Sequence, residues 1–252
     1  MLSGLATPVI RSKLGQWSMA ARRLLDLSAF DGRLLDGLTF CRKVYDLFDQ
    51  VRSGPNGVSK LRLRPTKLEK RLLEELLPLA RYVQVHYGES RRIKVRWFSG
   101  SQPFDAILLS SGARVDHDFV PQRVLVEITT SVHQNEYLVR EQIDRGGPSF
   151  GPEGISRDKK TGNIVSQPHV RHENELEADL ADQIIARLKC KSTKSYPPNT
   201  VLIVDCIANT IVLEPEWKNV IERVKVAQAH LAFREVFLFD RITPQSATLG
   251  GK

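Results

Sequence analysis

The sequence predicts an α/β protein with a mixed central sheet flanked by helices, and three observations carry that prediction. First, the alternating segments RIKVRWFS (92–99), FDAILLS (104–110) and RVLVEIT (123–129) follow one another with only loops between them, as antiparallel strands do. Second, TVLIVDCIA (200–208) and EVFLFD (235–240) are each preceded by an amphipathic, helix-length stretch, the arrangement of strands joined by helical crossovers. Third, TVLIVDCIA is almost continuously apolar and rich in β-branched residues, which suits a strand buried on both faces.

Taken in order, residues 1–52 read as a helical N-terminal extension. Leu24, Leu27, Leu34, Leu35, Leu38, Val44, Leu47 and Phe48 fall at helix-like spacings. Gly32 and Gly37 interrupt the pattern, so two or three short helices are expected there rather than one. The turn-rich stretch RSGPNGVSK opens a linker over 53–65. A domain over 66–240 begins with a helix: Thr66 and Glu69 have the spacing of a capping box, and Leu68, Leu72, Leu76 and Leu79 share one face. Pro78 should bend or shorten its last turns. After the first three strands, a helix spans about Asn135 to Ile143. The glycine-rich DRGGPSFGPEG then stops it, and an inserted loop and hairpin occupy 144–173, with Lys159, Lys160 and Gly162 around the tip. From Asn174, Leu176, Leu180, Ile184 and Leu188 recur every fourth residue, with acids early and bases late, as the helix dipole favours. Pro215 opens the last helix. RITPQSATLGGK, within 241–252, reads as a flexible tail.

Composition narrows the function classes. With 41% hydrophobic and 26% charged residues the chain is ordinary for a soluble globular protein, and no apolar run approaches the roughly 20 residues of a membrane span. The first residues lack a basic region followed by an apolar one, so no secretory signal is expected. Cys41, Cys190 and Cys206 are odd in number and without metal-motif spacing, which fits reduced thiols in the cytoplasm. The net charge of +8 favours polyanionic partners, because neutralising phosphates releases condensed counterions. No phosphate-cradling glycine loop, nucleophile elbow or cysteine triad context is present. HVRHE (169–173) and His117, between Asp116 and Asp118, have residue types that bind metals but read more simply as charged loops.

The chemistry of greatest interest lies in the strands. Asp105 stands at the start of the second and Glu127 near the end of the third. If these strands are antiparallel neighbours, both carboxylates meet at one place on the sheet. Such a pair can hold Mg²⁺ together with waters and a substrate phosphate. It equally suits a solvated sheet edge. His133 follows closely and is a candidate to line the same place.

FDAILL through VLVEITTSVHQNEYLVREQ, with the order of elements over 66–240, resembles the PD-(D/E)XK nuclease superfamily and its restriction-endonuclease-like fold. The resemblance implies a metal-dependent endo- or exonuclease that hydrolyses phosphodiester bonds in DNA or RNA with Mg²⁺ or Mn²⁺. It implies metal ligation by Asp105, Glu127 and the carbonyl of Ile128, with a further acid from Glu69, Glu74 or Glu75, and Glu75 placed on the apolar face. Gln142 would match a helix glutamine found in some relatives, and Arg140 the positively charged group that others supply from this helix, able to stabilise a phosphate but hardly to accept a proton. Arg140, Arg157, Lys159 and Lys160 would meet phosphates. Thr129 stands where the family's lysine is expected. That departure leaves a variant site, a lysine borrowed from elsewhere such as Lys94 or Lys159, or a catalytically inactive module. The inactive module would bind nucleic acid, or a protein partner through the N-terminal helices.

Overall fold

A computed structural model of the chain describes residues 26–208, 211, 213–227 and 232–250. The expectations placed on residues 1–25, Leu24 among them, lie outside the described residues. The architecture is α/β, with a mixed seven-stranded sheet between two helical layers.

After a 3₁₀ turn at Leu27–Ala29, the chain enters β1 (Leu34–Asp36) and α1 (Gly37–Ser53), then α2 (Gly57–Leu63). A long helix follows: α3 (Lys67–Arg71), a π-helical turn (Leu72–Leu76) and α4 (Leu77–His86). The strands β2 (Arg92–Trp97), β3 (Ala106–Ser111) and β4 (Arg123–Ser131) come next, with the short α5 (Ala113–Asp116) between the last two. Then α6 (Glu136–Asp144), the hairpin β5 (Ile155–Arg157) and β6 (Ile164–Ser166), and α7 (Glu173–Ser192) lead to β7 (Thr200–Cys206). The chain closes with α8 (Glu214–Ala227), β8 (Glu235–Asp240) and β9 (Ser246–Gly250).

Strand order across the sheet is β1-β2-β3-β4-β7-β8-β9. The first four strands form an antiparallel meander, β4, β7 and β8 are parallel, and β9 returns antiparallel on β8. All seven residues of β7 are buried, because it has parallel neighbours on both sides and helices on both faces. One face carries Val95, Trp97, Leu108, Val126 and Ile203 against Phe40, Val44, Leu72, Leu76 and Leu79. The other carries Leu202, Val204 and Leu238 against Leu180, Ile184, Leu188 and Val220. The period-two alternation of the strands thus sorts their side chains into two cores.

The capping box is present: Thr66 N–H donates to Glu69 Oε2 at 3.1 Å while the Thr66 hydroxyl accepts from Leu68 N–H at 3.2 Å. Pro78 lies in the first turn after the π turn, where its missing N–H is accommodated.

Several local expectations change. Among the described residues, the N-terminal segment is mainly one helix of 17 residues, α1, preceded by a short edge strand. Gly37 does not weaken that helix internally but begins it, with Asp36 capping Leu38 N–H at 3.0 Å. A Cβ there would come within 2.8 Å of the Ile93 carbonyl and 2.9 Å of Val83, so only glycine lets α1 sit this close to the sheet. Phe40, Val44, Leu47 and Val51 consequently share the core of the main sheet. The expected linker contains α2, whose start at Gly57 would bring a Cβ within 2.2 Å of the Arg52 carbonyl. The expected flexible tail supplies β9, because Leu249 buries its side chain in the second core.

Among the described residues no helix is long and apolar enough to cross a membrane. All three cysteines are free.

Candidate active site

The site is built where β3 and β4 part. Their pairing begins at Ala106 opposite Val126, so residues of β4 beyond Val126 have no ladder partner on β3. Asp105 stands at that junction. Its N–H donates to the Val126 carbonyl at 2.7 Å, and its Oδ2 accepts the Ile128 N–H at 2.7 Å. The side chain thereby replaces the ladder contact that β3 no longer makes. In strand geometry the Ile128 carbonyl points to the same side as its N–H, into the gap.

Glu127 stands opposite Leu202 in register and so faces the layer of α7. There the Lys191 ammonium, in the last turn of α7, forms an ion pair with its Oε1, and the Tyr196 hydroxyl donates to the same oxygen at 3.3 Å. Burial and the neighbouring Glu127 and Asp105 carboxylates raise the Tyr196 phenol above its ordinary range, keeping it protonated as a donor.

Glu75 approaches from the other layer, on the π turn. Its Oε2 accepts the Trp97 indole N–H at 3.1 Å, and its Oε1 pairs with Arg71. Burial raises its carboxyl pKa. The π turn inserts one extra residue per turn locally, which lets Glu75 turn toward the strands while Leu72 and Leu76 stay in the core.

These charges act on one another. Burial pushes the Asp105 carboxyl up to about 7, and the nearby Glu127 and Glu75 carboxylates push in the same direction. The Ile128 N–H and the Lys191 ammonium oppose the rise. Two acids that repel each other at a partly buried strand junction form a charge arrangement that a cation relieves.

Beside the acids lies a cleft of about 310 Å³, walled by Arg64, Glu74, Glu75, Ile128, Thr129, Thr130, Val132, Arg140 and Arg187. Arg64 pairs with Glu74 at 2.8 Å, and Arg140 Nε contacts Glu136 at 3.3 Å.

The sequence-derived candidates are therefore divided. Asp105, Glu127, Ile128 and Glu75 converge, and Thr129 and Arg140 line the adjoining cleft. Glu69 is spent on its capping box and Glu74 on Arg64. Gln142 is not brought to the acids; its amide lies against Gly147, after the end of α6. Arg157 is tied to Glu141 and to the Gly162 carbonyl, which holds the hairpin on α6, and Lys159 and Lys160 remain exposed at its tip. His133 lines a different cavity, of about 270 Å³, with His169 and Asp179.

Lys94 and Lys159 are not the lysine beside Glu127; Lys191 is, and the sequence reading missed it. A signal existed. Lys191 follows Leu188 by three residues and Ile184 by seven, so it continues the sheet-facing stripe of α7. Arg187 holds the same relation to Ile184 and Leu180.

Among the described residues no group of three or more His, Cys, Asp and Glu side chains is arranged to hold a metal ion. Two carboxylates and a carbonyl nevertheless fit Mg²⁺, which keeps several waters and is often held by one or two carboxylates. Asp105 and Glu127 each have an oxygen outside the hydrogen bonds described above. The chain matches no protein-family model, no curated protein and no solved structure.

Proposed function

We propose that this chain is a nuclease-like hydrolase of the PD-(D/E)XK type, cleaving phosphodiester bonds in nucleic acid with the help of a divalent metal. The observation that carries the reading is the convergence of Asp105 and Glu127 at the parting of β3 and β4, with Lys191 of α7 on Glu127. In this proposal Lys191 supplies the cation that Thr129 does not.

Asp105, Glu127 and the Ile128 carbonyl would hold Mg²⁺ or Mn²⁺, which when bound supplies charge stabilisation at the phosphate and lowers the pKa of a coordinated water. The chain's own groups have separate tasks. The Ile128 N–H fixes the Asp105 carboxyl in the strand plane. Tyr196 and Lys191 fix the Glu127 carboxyl and leave its second oxygen free of them. The Lys191 ammonium carries positive charge to the place where negative charge develops on the attacked phosphate. The basic net charge and reduced thiols suit a nucleic-acid partner in the cytoplasm.

A second reading has its own support. Lys191 already neutralises Glu127, and no third acid completes a ligand cluster among the described residues. Both suit a module of the same fold that binds nucleic acid without cutting it.

Incubation with DNA or RNA in Mg²⁺ or Mn²⁺ separates the two. The hydrolase reading expects cleavage that stops with a chelator and is abolished in Asp105→Ala. Lys191→Ala should reduce it about 100-fold or more, the scale of losing one charge-stabilising group. Cleavage that is equal in wild type and Asp105→Ala overturns this reading. Salt-sensitive binding with no cleavage favours the module.

A further inference from the structure

The cleft is lined by two acids, Glu74 and Glu75, and by three guanidinium groups. Arg64 ends α2, Arg140 lies on α6 and Arg187 on α7. All three line the same cleft of about 310 Å³. They come from three separate elements and lie far apart in sequence, so their convergence is a property of the fold.

Arg64 is costly to hold there. It adopts a left-handed backbone with φ 54°, which is unfavourable for a residue with a Cβ, and it precedes Pro65, which further disfavours helical dihedrals. Its side chain is largely buried, its Nε has no hydrogen-bond partner among the described residues, and only its Nη1 meets Glu74. Burial, with the like charges of Arg241 and Arg140, lowers its pKa from the ordinary arginine value. Arg187 is half-buried and makes no ion pair or hydrogen bond among the described residues. Arg140 touches Glu136 only through Nε, leaving the outer fork of its guanidinium free of that contact. Strained, desolvated and mutually repelling residues persist where the surroundings fix them for a purpose. Planar guanidinium forks match the oxygens of a tetrahedral phosphate.

We infer that Arg64, Arg140 and Arg187 form a phosphate-binding subsite that takes a phosphate group of a nucleic-acid strand beside the one held at Asp105 and Glu127. This rests on the nucleic-acid reading given above, but the subsite itself needs neither the acids nor a metal. It adds Arg64 and Arg187 to the residues that meet the substrate. It also places Arg140, already expected to meet phosphates, at the cleft.

The test uses the full chain without metal, in the Asp105→Asn background so that no strand is cut. Inorganic phosphate should raise the melting temperature above that in chloride of equal ionic strength. Arg187→Ala and Arg140→Ala should each weaken phosphate binding about tenfold or more. Arg187→Ala is expected to keep its far-ultraviolet circular dichroism, because that side chain makes no ion pair here. Oligonucleotides with a 5′-phosphate and with a 5′-hydroxyl then distinguish the source of the phosphate. Tighter binding of the phosphorylated strand assigns the subsite to a chain end, and equal binding that both variants weaken assigns it to an internal phosphate. Phosphate and strand binding that are unchanged in both folded arginine variants overturn the inference. Loss of cleavage in Asp105→Ala with unchanged phosphate binding in the arginine variants would overturn the subsite alone and leave the hydrolase reading standing.

Discussion

Asp105 is a carboxyl group that the fold holds against its own charge. Its pKa in the folded chain is about 7 against an ordinary value of 3.8. A raised acid pKa means that the folded state binds the proton more tightly than the unfolded state. The associated stability is therefore fully present below about pH 3.8 and is lost as the pH rises through 7. Asp105→Asn removes the charge while its amide oxygen can still accept the Ile128 N–H. In metal-free urea titrations the stability difference should shift in the variant's favour as the pH rises from about 4 to 8, by a total on the order of 4 kcal/mol. An advantage that does not change with pH would show that Asp105 is not the titrating group. Asp105 was legible in the sequence because it stands just before a strand, and Glu127 because its strand was expected to end beside it; β4 in fact runs on to Ser131, and the two acids meet because β3 stops pairing at Ala106. For Lys191 and Arg187 the sequence showed only that they continue the sheet-facing stripe of α7; that this helix, far along the chain, lays them on β4 and at the cleft was not legible. Arg64 was hidden for another reason: its importance lies in a backbone conformation and a buried nitrogen, and neither leaves a spacing pattern.

At the scale of elements, the long central strand and amphipathic helices were readable because their apolar residues follow one period throughout. Short elements were not. β1 has only three residues, too few to show alternation, and α2 looked like a linker because glycine and proline precede it. β9 was read as tail because SATLG alternates only weakly, yet it pairs with β8 from Glu235 to Phe239. Two consequences follow from that pairing. Leu249 is 2% exposed, packed in the core that holds Trp217 and Val220. The strand also covers the backbone edge of β8, which would otherwise be open to pairing with another chain. Ending the chain after Gln245 should therefore cost about 3 kcal/mol, the scale of one buried leucine plus ladder bonds. In a chain of this size that lowers the melting temperature by roughly 6–12 °C, and light scattering should show aggregation on heating. A melting temperature equal to that of the full chain would restore the description of this segment as a tail.

For the whole molecule, the net charge of +8 and the cleft arginines make different claims about nucleic-acid binding. A diffuse basic field attracts a strand from any side, whereas a cleft fixes how many phosphates are neutralised. The dependence of affinity on salt reads that number directly, since the logarithm of the binding constant falls with the logarithm of salt by about 0.7 per phosphate for single strands. One phosphate held by the three cleft arginines predicts a slope of about −0.7 for a single-stranded oligonucleotide. The hairpin tip offers Lys159 and Lys160, both exposed, on an element anchored to α6 through Arg157 and Glu141. If the hairpin closes over the same strand, the slope steepens to about −2, and Lys159→Ala with Lys160→Ala returns it to about −0.7. Fluorescence anisotropy over a range of chloride concentrations, with Asp105→Asn to prevent cleavage, gives both slopes. An unchanged slope in the double lysine variant assigns the strand to the cleft alone. A slope that Arg140→Ala and Arg187→Ala leave unchanged would mean that the arginines neutralise no phosphate of the strand, and that it runs elsewhere on the basic surface.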